Sequence, residues 1–292
     1  MTDPIESSRL PGLDASYVEA RRVLIDALTA LAPHGAAVIV AGAQAIYLHT
    51  GDADIAIAPY TTDADLTLDP SLLADEPTLD TAMRGAGFQL AEMGGHVEPG
   101  IWVARGSVAG QPVLIPVDLI VPEGAASGGG RRGARLGAHG KVAARRAKGL
   151  EGVLVDHSTM TIAALDPADI RSIEVEVAGP AALLVAKAHK LNDRIASNKA
   201  TRIDDKDAAD VFRLMQMTDP DAVGGTLAML AHDEVAGPAA VEAIGYIEEL
   251  FGRRGRRGIE LAVRALRVGM PETRVETLCV SYTERLLDAA RS

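Results

Sequence analysis

The chain contains the stretch Thr61-Thr62-Asp63-Ala64-Asp65-Leu66-Thr67-Leu68-Asp69, in which acidic or hydroxyl side chains alternate with apolar ones. Successive side chains of a β-strand point to opposite faces of the sheet. The alternation therefore predicts a strand that places Asp63 and Asp65 on one face. Neighbouring carboxylates repel each other, and a hard dication with oxygen ligands is the natural counter-charge. An exposed strand with an acidic outer face is the alternative that this stretch alone leaves open.

The composition indicates a globular protein without a membrane segment. The 292 residues are 48% hydrophobic and 24% charged, and aromatic residues make up 3%. The single cysteine, Cys279, excludes an internal disulfide and a cysteine-ligated metal, and favours a reducing cytoplasm. The polar stretch Met1 to Pro11 does not resemble a signal peptide, and the apolar runs are too short to span a membrane. We therefore expect a cytoplasmic protein with no membrane partner.

The charge is unevenly distributed along the chain. The net charge is −11, which argues against non-specific binding of nucleic acid by the whole surface. However, the segment from Gly124 to Leu150 has no acid and seven cations, namely Arg131, Arg132, Arg135, Lys141, Arg145, Arg146 and Lys148. We call this segment the basic strip. It suggests a local site for a polyanion, and a solvated, flexible loop is the alternative. Its low-complexity Gly/Arg stretch, residues 124–149, is predicted to be a mobile loop.

The order of predicted elements changes at Pro180. Before it, the patterns predict a mixed α/β unit with a β-hairpin over Ile101–Val108 and Val113–Val121, and a short strand at Val153–Val155. After it, apolar residues recur with helical spacing as far as Ala290. The sequence thus predicts an α/β (α+β) fold, with an α/β domain over residues 1–178 and a helical domain over residues 179–292.

A third acid lies in the second strand of the predicted hairpin. Asp118 is the one charged residue of the run Val113–Val121. A lone carboxylate in a buried strand is costly unless it is paired or ligates a metal. Together with Asp63 and Asp65, Asp118 would complete an acidic site able to bind divalent metal. The Gly42-Ala43 turn between a buried strand and a helix is a candidate phosphate-binding element.

Two predicted helices carry charges near their apolar faces. Lys187, Lys190 and Arg194 follow one another at intervals of three and four residues, along one flank of an apolar stripe. Such cations suit a triphosphate, and a solvated basic flank is the alternative. In the next helix, Asp207 and Asp210 lie near the core, where we expect them to pair with Lys187 or Arg194 and orient them.

Taken in order, these residues resemble known nucleotidyltransferases. Three segments resemble the polymerase-β-type signature: Gly42-Ala43, Thr62-Asp63-Ala64-Asp65-Leu66 and Val117-Asp118-Leu119. Further residues resemble the AbiEii/MenT branch of nucleotidyltransferase toxins, namely Leu184-Val185-Ala186-Lys187, Arg194 and Lys206-Asp207-Ala208-Ala209-Asp210. The resemblance covers roughly residues 36–216. It implies an N-terminal polymerase-β-like domain with a mixed sheet, followed by a helical domain.

The resemblance also implies a reaction and its participants. Enzymes of this kind move a nucleoside monophosphate from an NTP to an acceptor hydroxyl. In the toxin branch the acceptor is the 3′ end of tRNA, and a separately encoded antitoxin is the partner. The resemblance assigns Mg²⁺ to Asp63, Asp65 and Asp118, with Lys187 and Asp207 as further catalytic residues. It assigns nucleotide binding to Gly42, Ala43, Thr62, Lys187, Lys190 and Arg194.

Several points stay open from the sequence. Ala43 stands where the family has Gly or Ser, so one phosphate contact has to come from elsewhere, with Gln44 and Thr61 as candidates. Lys187 and Lys190 compete for the phosphates, and Asp118 is either a general base or a third metal ligand. Arg131, Arg132, Arg145 and Arg146 of the basic strip are the expected contacts of an RNA acceptor. The alternatives are transfer to a small molecule or a protein hydroxyl, and a nucleotide-binding regulator without catalysis.

Overall fold

The structure is a computed structural model that describes residues 13–51, 60–126, 132–197 and 205–292. It has one mixed sheet in its N-terminal part and helices in its C-terminal part, which confirms the predicted α/β (α+β) class. The predicted domain boundary falls between the last strand, which ends at Ala178, and a helix that begins at Pro180.

The described strands form one sheet. Its strand order is β3-β4-β5-β2-β1-β8-β7, and β6 pairs with the end of β5. The strands are β1 (Val38–Ala41), β2 (Ala64–Leu68), β3 (Gln89–Met93), β4 (His96–Val108), β5 (Gln111–Pro122), β6 (Arg145–Ala147), β7 (His157–Ala163) and β8 (Ser172–Ala178). The apolar β1 is buried along its whole length because β2 and β8 flank it on both sides.

The register of the central strands sets the positions of the acids. β2 runs antiparallel to β1, with Asp65 opposite Ala41. It runs parallel to β5, with Asp65 opposite Asp118. Residues directly opposite each other on neighbouring strands project to the same face of a sheet. The strand pairing therefore brings together two carboxylates that are far apart in the sequence.

The helices follow the predicted pattern. They are α1 (Ala15–Ala30), α2 (Gly42–Thr50), α3 (Leu79–Gly85), α4 (Pro180–Ala196), α5 (Asp205–Met217), α6 (Pro220–Ala231), α7 (Gly237–Phe251), α8 (Arg257–Leu266) and α9 (Glu272–Arg291). Asp14 caps α1, since its carboxylate accepts a hydrogen bond from the Ser16 backbone N–H at 2.7 Å. Pro180 and Pro220 lie in the first turn of their helices, where the missing N–H costs nothing.

The predicted hairpin joins β4 to β5 through a two-residue turn. Ala109 and Gly110 both have positive φ angles, 51° and 77°, and Val108 pairs with Gln111 across the turn. This geometry matches the twist of the two strands. None of the described helices combines the length and the apolar composition that crossing a membrane requires.

Two local predictions are wrong. Residues Glu151–Leu154 form a 3-10 turn instead of the strand expected at Val153–Val155, and Val153 is buried from that turn. The basic strip is folded wherever the structure describes it. It buries Ala134, Ala143 and Ala144, and the Ala143 carbonyl accepts a hydrogen bond from the Trp102 indole. These small apolar residues give the glycine-rich segment a core contact that its charge pattern does not indicate.

Candidate nucleotide and metal site

The site begins at the turn between β1 and α2. Gly42 has a φ angle of +65°, a conformation that glycine adopts at little cost. A Cβ atom at this position would lie 1.9 Å from Oδ2 of Asp65. The absence of a side chain at Gly42 therefore leaves room for the Asp65 carboxylate against the start of α2.

Asp63 is held by Thr61, two residues earlier in the chain, and by Gln44 of α2. Its carboxylate accepts a hydrogen bond from the Thr61 hydroxyl, and its backbone carbonyl accepts one from the Gln44 amide at 3.1 Å. Gln44 is itself buried and accepts a hydrogen bond from Arg21. Gln44 thus anchors the strand that carries the acids, and its side chain is committed to that role.

The three acids influence one another electrostatically. Burial raises the pKa of Asp65 to about 6, and the negative charges of Asp63 and Asp118 contribute to this increase. Burial also raises the pKa of Asp118, an effect that the nearby Arg145 guanidinium partly offsets. Carboxylates whose charged form is disfavoured in this way are stabilised by a cation.

Arg145 is the cation that contacts this cluster directly. Its guanidinium donates two hydrogen bonds to Oδ2 of Asp118, at 3.1 Å and 2.6 Å. Pairing of β6 with the end of β5 brings the two side chains together. The sequence assigned Arg145 to an RNA-binding strip, whereas the structure places it at the acidic cluster.

A second charged group connects α4 to α5. Lys187 is only 5% exposed, and its ammonium donates to Asp207 at 2.8 Å and to Asp210 at 2.7 Å. Lys190 Nζ lies 3.1 Å from Asp207, and Arg194 contacts the same carboxylate. These contacts agree with the expected pairing of the acids of α5 with the cations of α4.

The pKa values in this group follow from the pairing. Burial would lower the pKa of Lys187, but the charges of Asp210 and Asp207 hold it above its ordinary value. Burial would raise the pKa of Asp207, but Lys187 and Lys190 hold it well below its ordinary value. Lys187 and Asp207 are therefore both charged at neutral pH.

A cavity of about 320 Å³ lies between the acidic cluster and α4. Its charged lining includes Asp65, Arg145, Lys148, Lys187 and Lys190. Its apolar lining includes Ile120, Leu150 and Leu183. A cavity lined by both cations and apolar side chains suits an anionic ligand with a flat ring system.

The cavity adds residues that the sequence did not assign to the nucleotide. Lys148 was recognised only as part of the basic strip, and Leu150 and Leu183 were not singled out. Lys148 and Lys190 line the same cavity. No local motif signals that these two lysines share a cavity.

The other predicted site residues lie around the cluster. Gly42 lines the cavity, Ala43 is buried in the first turn of α2, and Thr62 is exposed beside Asp63. Arg132 pairs with Glu98 at 3.2 Å, and Arg146 follows Arg145 in β6. Arg131 lies outside the described residues.

The donors fit Mg²⁺ by their chemistry. Asp63, Asp65 and Asp118 offer only carboxylate oxygens, the ligands that a hard dication prefers. Burial, with the charges of Asp63 and Asp118, raises the pKa of Asp65, so a bound cation would stabilise its charged form. In the described ranges, however, no three His, Cys, Asp or Glu side chains stand in an arrangement able to hold one metal ion. Asp118 is instead engaged by Arg145.

Comparison with protein-family models finds none that matches this chain, and a search of curated proteins finds no match either.

Proposed function

We propose that the protein is a Mg²⁺-dependent nucleotidyltransferase that moves a nucleoside monophosphate from an NTP to an acceptor hydroxyl. The observation that carries this proposal is the cavity beside Asp65, which combines carboxylates, cations and an apolar wall. The carboxylates suit a metal, the cations suit a triphosphate, and the apolar wall suits a nucleobase.

The residues of the site divide the work in this proposal. Asp63 and Asp65 would hold Mg²⁺, which neutralises triphosphate charge when bound, and Asp118 is the carboxylate left to act as the general base. Lys190, with a side chain 47% exposed at the cavity, contacts the phosphates, and Lys148 and Arg145 assist. Lys187 is enclosed between Asp207 and Asp210, so it acts as a positioning residue that fixes α4 relative to α5.

The proposed reaction is a displacement at the α-phosphorus. The acceptor oxygen forms a bond to that phosphorus, and the bond from the phosphorus to the oxygen bridging to the β-phosphate breaks. Pyrophosphate leaves, with its developing charge stabilised by the cations of the cavity. The proton of the acceptor hydroxyl passes to a carboxylate, and Asp118 is the residue we assign to this role.

The resemblance to the AbiEii/MenT toxins supports the 3′ end of tRNA as the acceptor. It also supports a role as the toxin of a type IV-like toxin–antitoxin system with a separately encoded antitoxin. These assignments rest on the motifs around Asp65, Lys187 and Asp207.

The test uses purified protein, Mg²⁺, total tRNA and each α-labelled NTP in turn. Transfer of label to tRNA by the wild type, but not by Asp65→Ala, supports the proposal. Asp69→Ala is the matched control, because Asp69 lies beyond the end of β2 and accepts hydrogen bonds from Ser71. Label on a small molecule or on protein would identify another acceptor and reject tRNA.

A nucleotide-binding regulator is the second candidate. The ion pair between Arg145 and Asp118 favours it, because Arg145 already neutralises one acid of the cluster. NTP binding by the wild type without transfer to any acceptor would select this candidate.

A further inference from the structure

Tyr60 stands out among the aromatic residues of the chain. The sequence has one Trp, five Tyr and three Phe, all within the described ranges, and most of them are buried in the core. Tyr60 is 44% exposed, more than any of the others. Its backbone is nevertheless fixed, since its carbonyl accepts a hydrogen bond from the Tyr47 hydroxyl at 2.8 Å and the next residue, Thr61, is fully buried.

A cation lies over this ring. Lys206 Nζ is 5.6 Å from the centroid of the Tyr60 ring, a distance typical of a cation–π contact. The same ammonium donates a hydrogen bond to the Thr61 hydroxyl at 3.2 Å.

The contacts connect this ring to the acidic cluster. Lys206 donates to Thr61, and Thr61 in turn donates to the Asp63 carboxylate. Of the described residues that line the cavity beside Asp65, none is Tyr60 or Lys206. The ring and its cation therefore adjoin the acids through Asp63, whereas the cavity adjoins them through Asp65.

We infer that Tyr60 and Lys206 bind the single-stranded end of a nucleic-acid acceptor, with the terminal base stacked on the face of the Tyr60 ring opposite Lys206 and a backbone phosphate at Lys206. This inference rests on the proposed function. A fixed aromatic ring beside a cation is the arrangement with which proteins bind unpaired nucleotides, because every base has a face that can stack. The position beside Asp63 would bring the end of such a strand to the acids.

The experiment measures binding of RNA without NTP or Mg²⁺. The probes are a 5′-fluorescein-labelled single-stranded RNA octamer and the same octamer with an abasic 3′-terminal residue, followed by fluorescence anisotropy at several salt concentrations. The variants are Tyr60→Leu, Tyr60→Phe and Lys206→Met. Arg274→Met is the matched control, since it removes an exposed positive charge from α9. Thermal unfolding checks that each variant is folded.

The wild type is expected to bind the intact octamer about 5- to 150-fold more tightly than the abasic one, the range typical of one stacked base. Tyr60→Leu should abolish this preference, and Tyr60→Phe should retain it. Lys206→Met should weaken binding of both probes and reduce the slope of log K against log salt by about 0.7, the value for one phosphate contact on a single strand. Arg274→Met should keep the wild-type preference.

The inference is overturned if the wild type does not bind the octamer, or if Tyr60→Leu keeps the preference for the intact end. Nucleotide transfer measured on the same proteins separates this result from the proposed function. If the protein transfers nucleotides to tRNA and Tyr60→Leu does not change the KM for tRNA, RNA binding by Tyr60 and Lys206 is rejected and the enzyme activity is retained. If RNA binding depends on Tyr60 but no transfer occurs, RNA binding by Tyr60 and Lys206 is supported and the enzyme activity is rejected.

Discussion

Arg145 on β6 binds a single carboxylate oxygen of Asp118 on β5, donating from Nε at 3.1 Å and from Nη2 at 2.6 Å. Both side chains are about three-quarters buried, so solvent screens this pair less than a surface pair. Asp118 also lies opposite Asp65 in the sheet. Arg145 therefore engages the carboxylate that would be the third acid of the proposed metal site.

We expect Arg145→Gln to increase the affinity for divalent metal in the absence of nucleotide. The substitution removes a positive charge that repels the metal and frees Asp118 to act as a ligand. The Mg²⁺-induced rise in Tm should be larger in Arg145→Gln than in the wild type. Arg132→Gln is the control, because Arg132 pairs with Glu98 on the outer surface. Equal shifts in Arg145→Gln and the wild type would contradict this prediction.

The raised pKa of Asp65 predicts a dependence of stability on pH. In the folded protein the pKa is about 6, whereas its ordinary value is 3.8. Between these values the folded state holds a proton that the unfolded state has lost, so stability falls as pH rises from about 4 to 6 and stays low above that. The cost above pH 6 is about 1–3 kcal/mol.

Asp65→Asn should remove this cost. With EDTA present, urea unfolding is expected to show the variant more stable than the wild type at pH 8 and equally stable at pH 4. Asp69→Asn is the matched control and should follow the wild type at both pH values. If the difference in stability between the wild type and Asp65→Asn is the same at pH 4 and pH 8, the pKa of Asp65 is not raised in the folded protein.

Gly42→Ala should disrupt the site by a direct clash. The new Cβ atom would meet the Asp65 carboxylate at 1.9 Å, and the positive φ angle adds about 1–2 kcal/mol of backbone strain. Gly51→Ala is the matched control, since Gly51 also has a positive φ angle, 52°, and nothing lies within 4 Å of its Cβ position. We expect only Gly42→Ala to lose binding of labelled NTP in equilibrium dialysis. Equal NTP binding by the two variants would show that the Asp65 position does not matter.

Lys187→Met should be strongly destabilising. It leaves Asp207 and Asp210 buried without their shared ammonium, and breaking a buried ion pair costs about 3–5 kcal/mol. Arg257→Met breaks an exposed pair with Glu260 and should cost less than about 1 kcal/mol. The free energy of unfolding from urea titration checks both values. A small loss in Lys187→Met would mean that the pair does not hold α4 against α5.

Much of the fold could be predicted from local patterns. The period-2 alternation around Asp65 indicated β2, and the Ala109-Gly110 turn indicated the hairpin of β4 and β5. Helical spacing and the positions of prolines indicated the helices after Pro180. The turn at Glu151–Leu154 was missed because a three-residue apolar run is too short to reveal a period.

The sequence predicted which residues belong to the candidate site better than it predicted which residues they contact. The pairing of Lys187 with Asp207 followed from helical spacing, because Asp207 and Asp210 lie on the side of α5 that faces the core. The role of Arg145 did not follow, since a run of cations between glycines has the same appearance whether it is solvated or packed against a strand. Its contact with Asp118 joins residues 27 positions apart.

Periodicity and the cost of burying a lone charge are local properties, so local patterns are enough to predict the type and order of the elements and the acids Asp65 and Asp118 in strands, with Asp63 just before β2. Which charges meet depends on tertiary contacts. The register of β2 against β5 places Asp65 beside Asp118, the pairing of β6 brings in Arg145, and the packing of α4 encloses Lys187 and leaves Lys190 at the cavity. These contacts depend on strand pairing and helix packing over long separations, which no short stretch of sequence encodes.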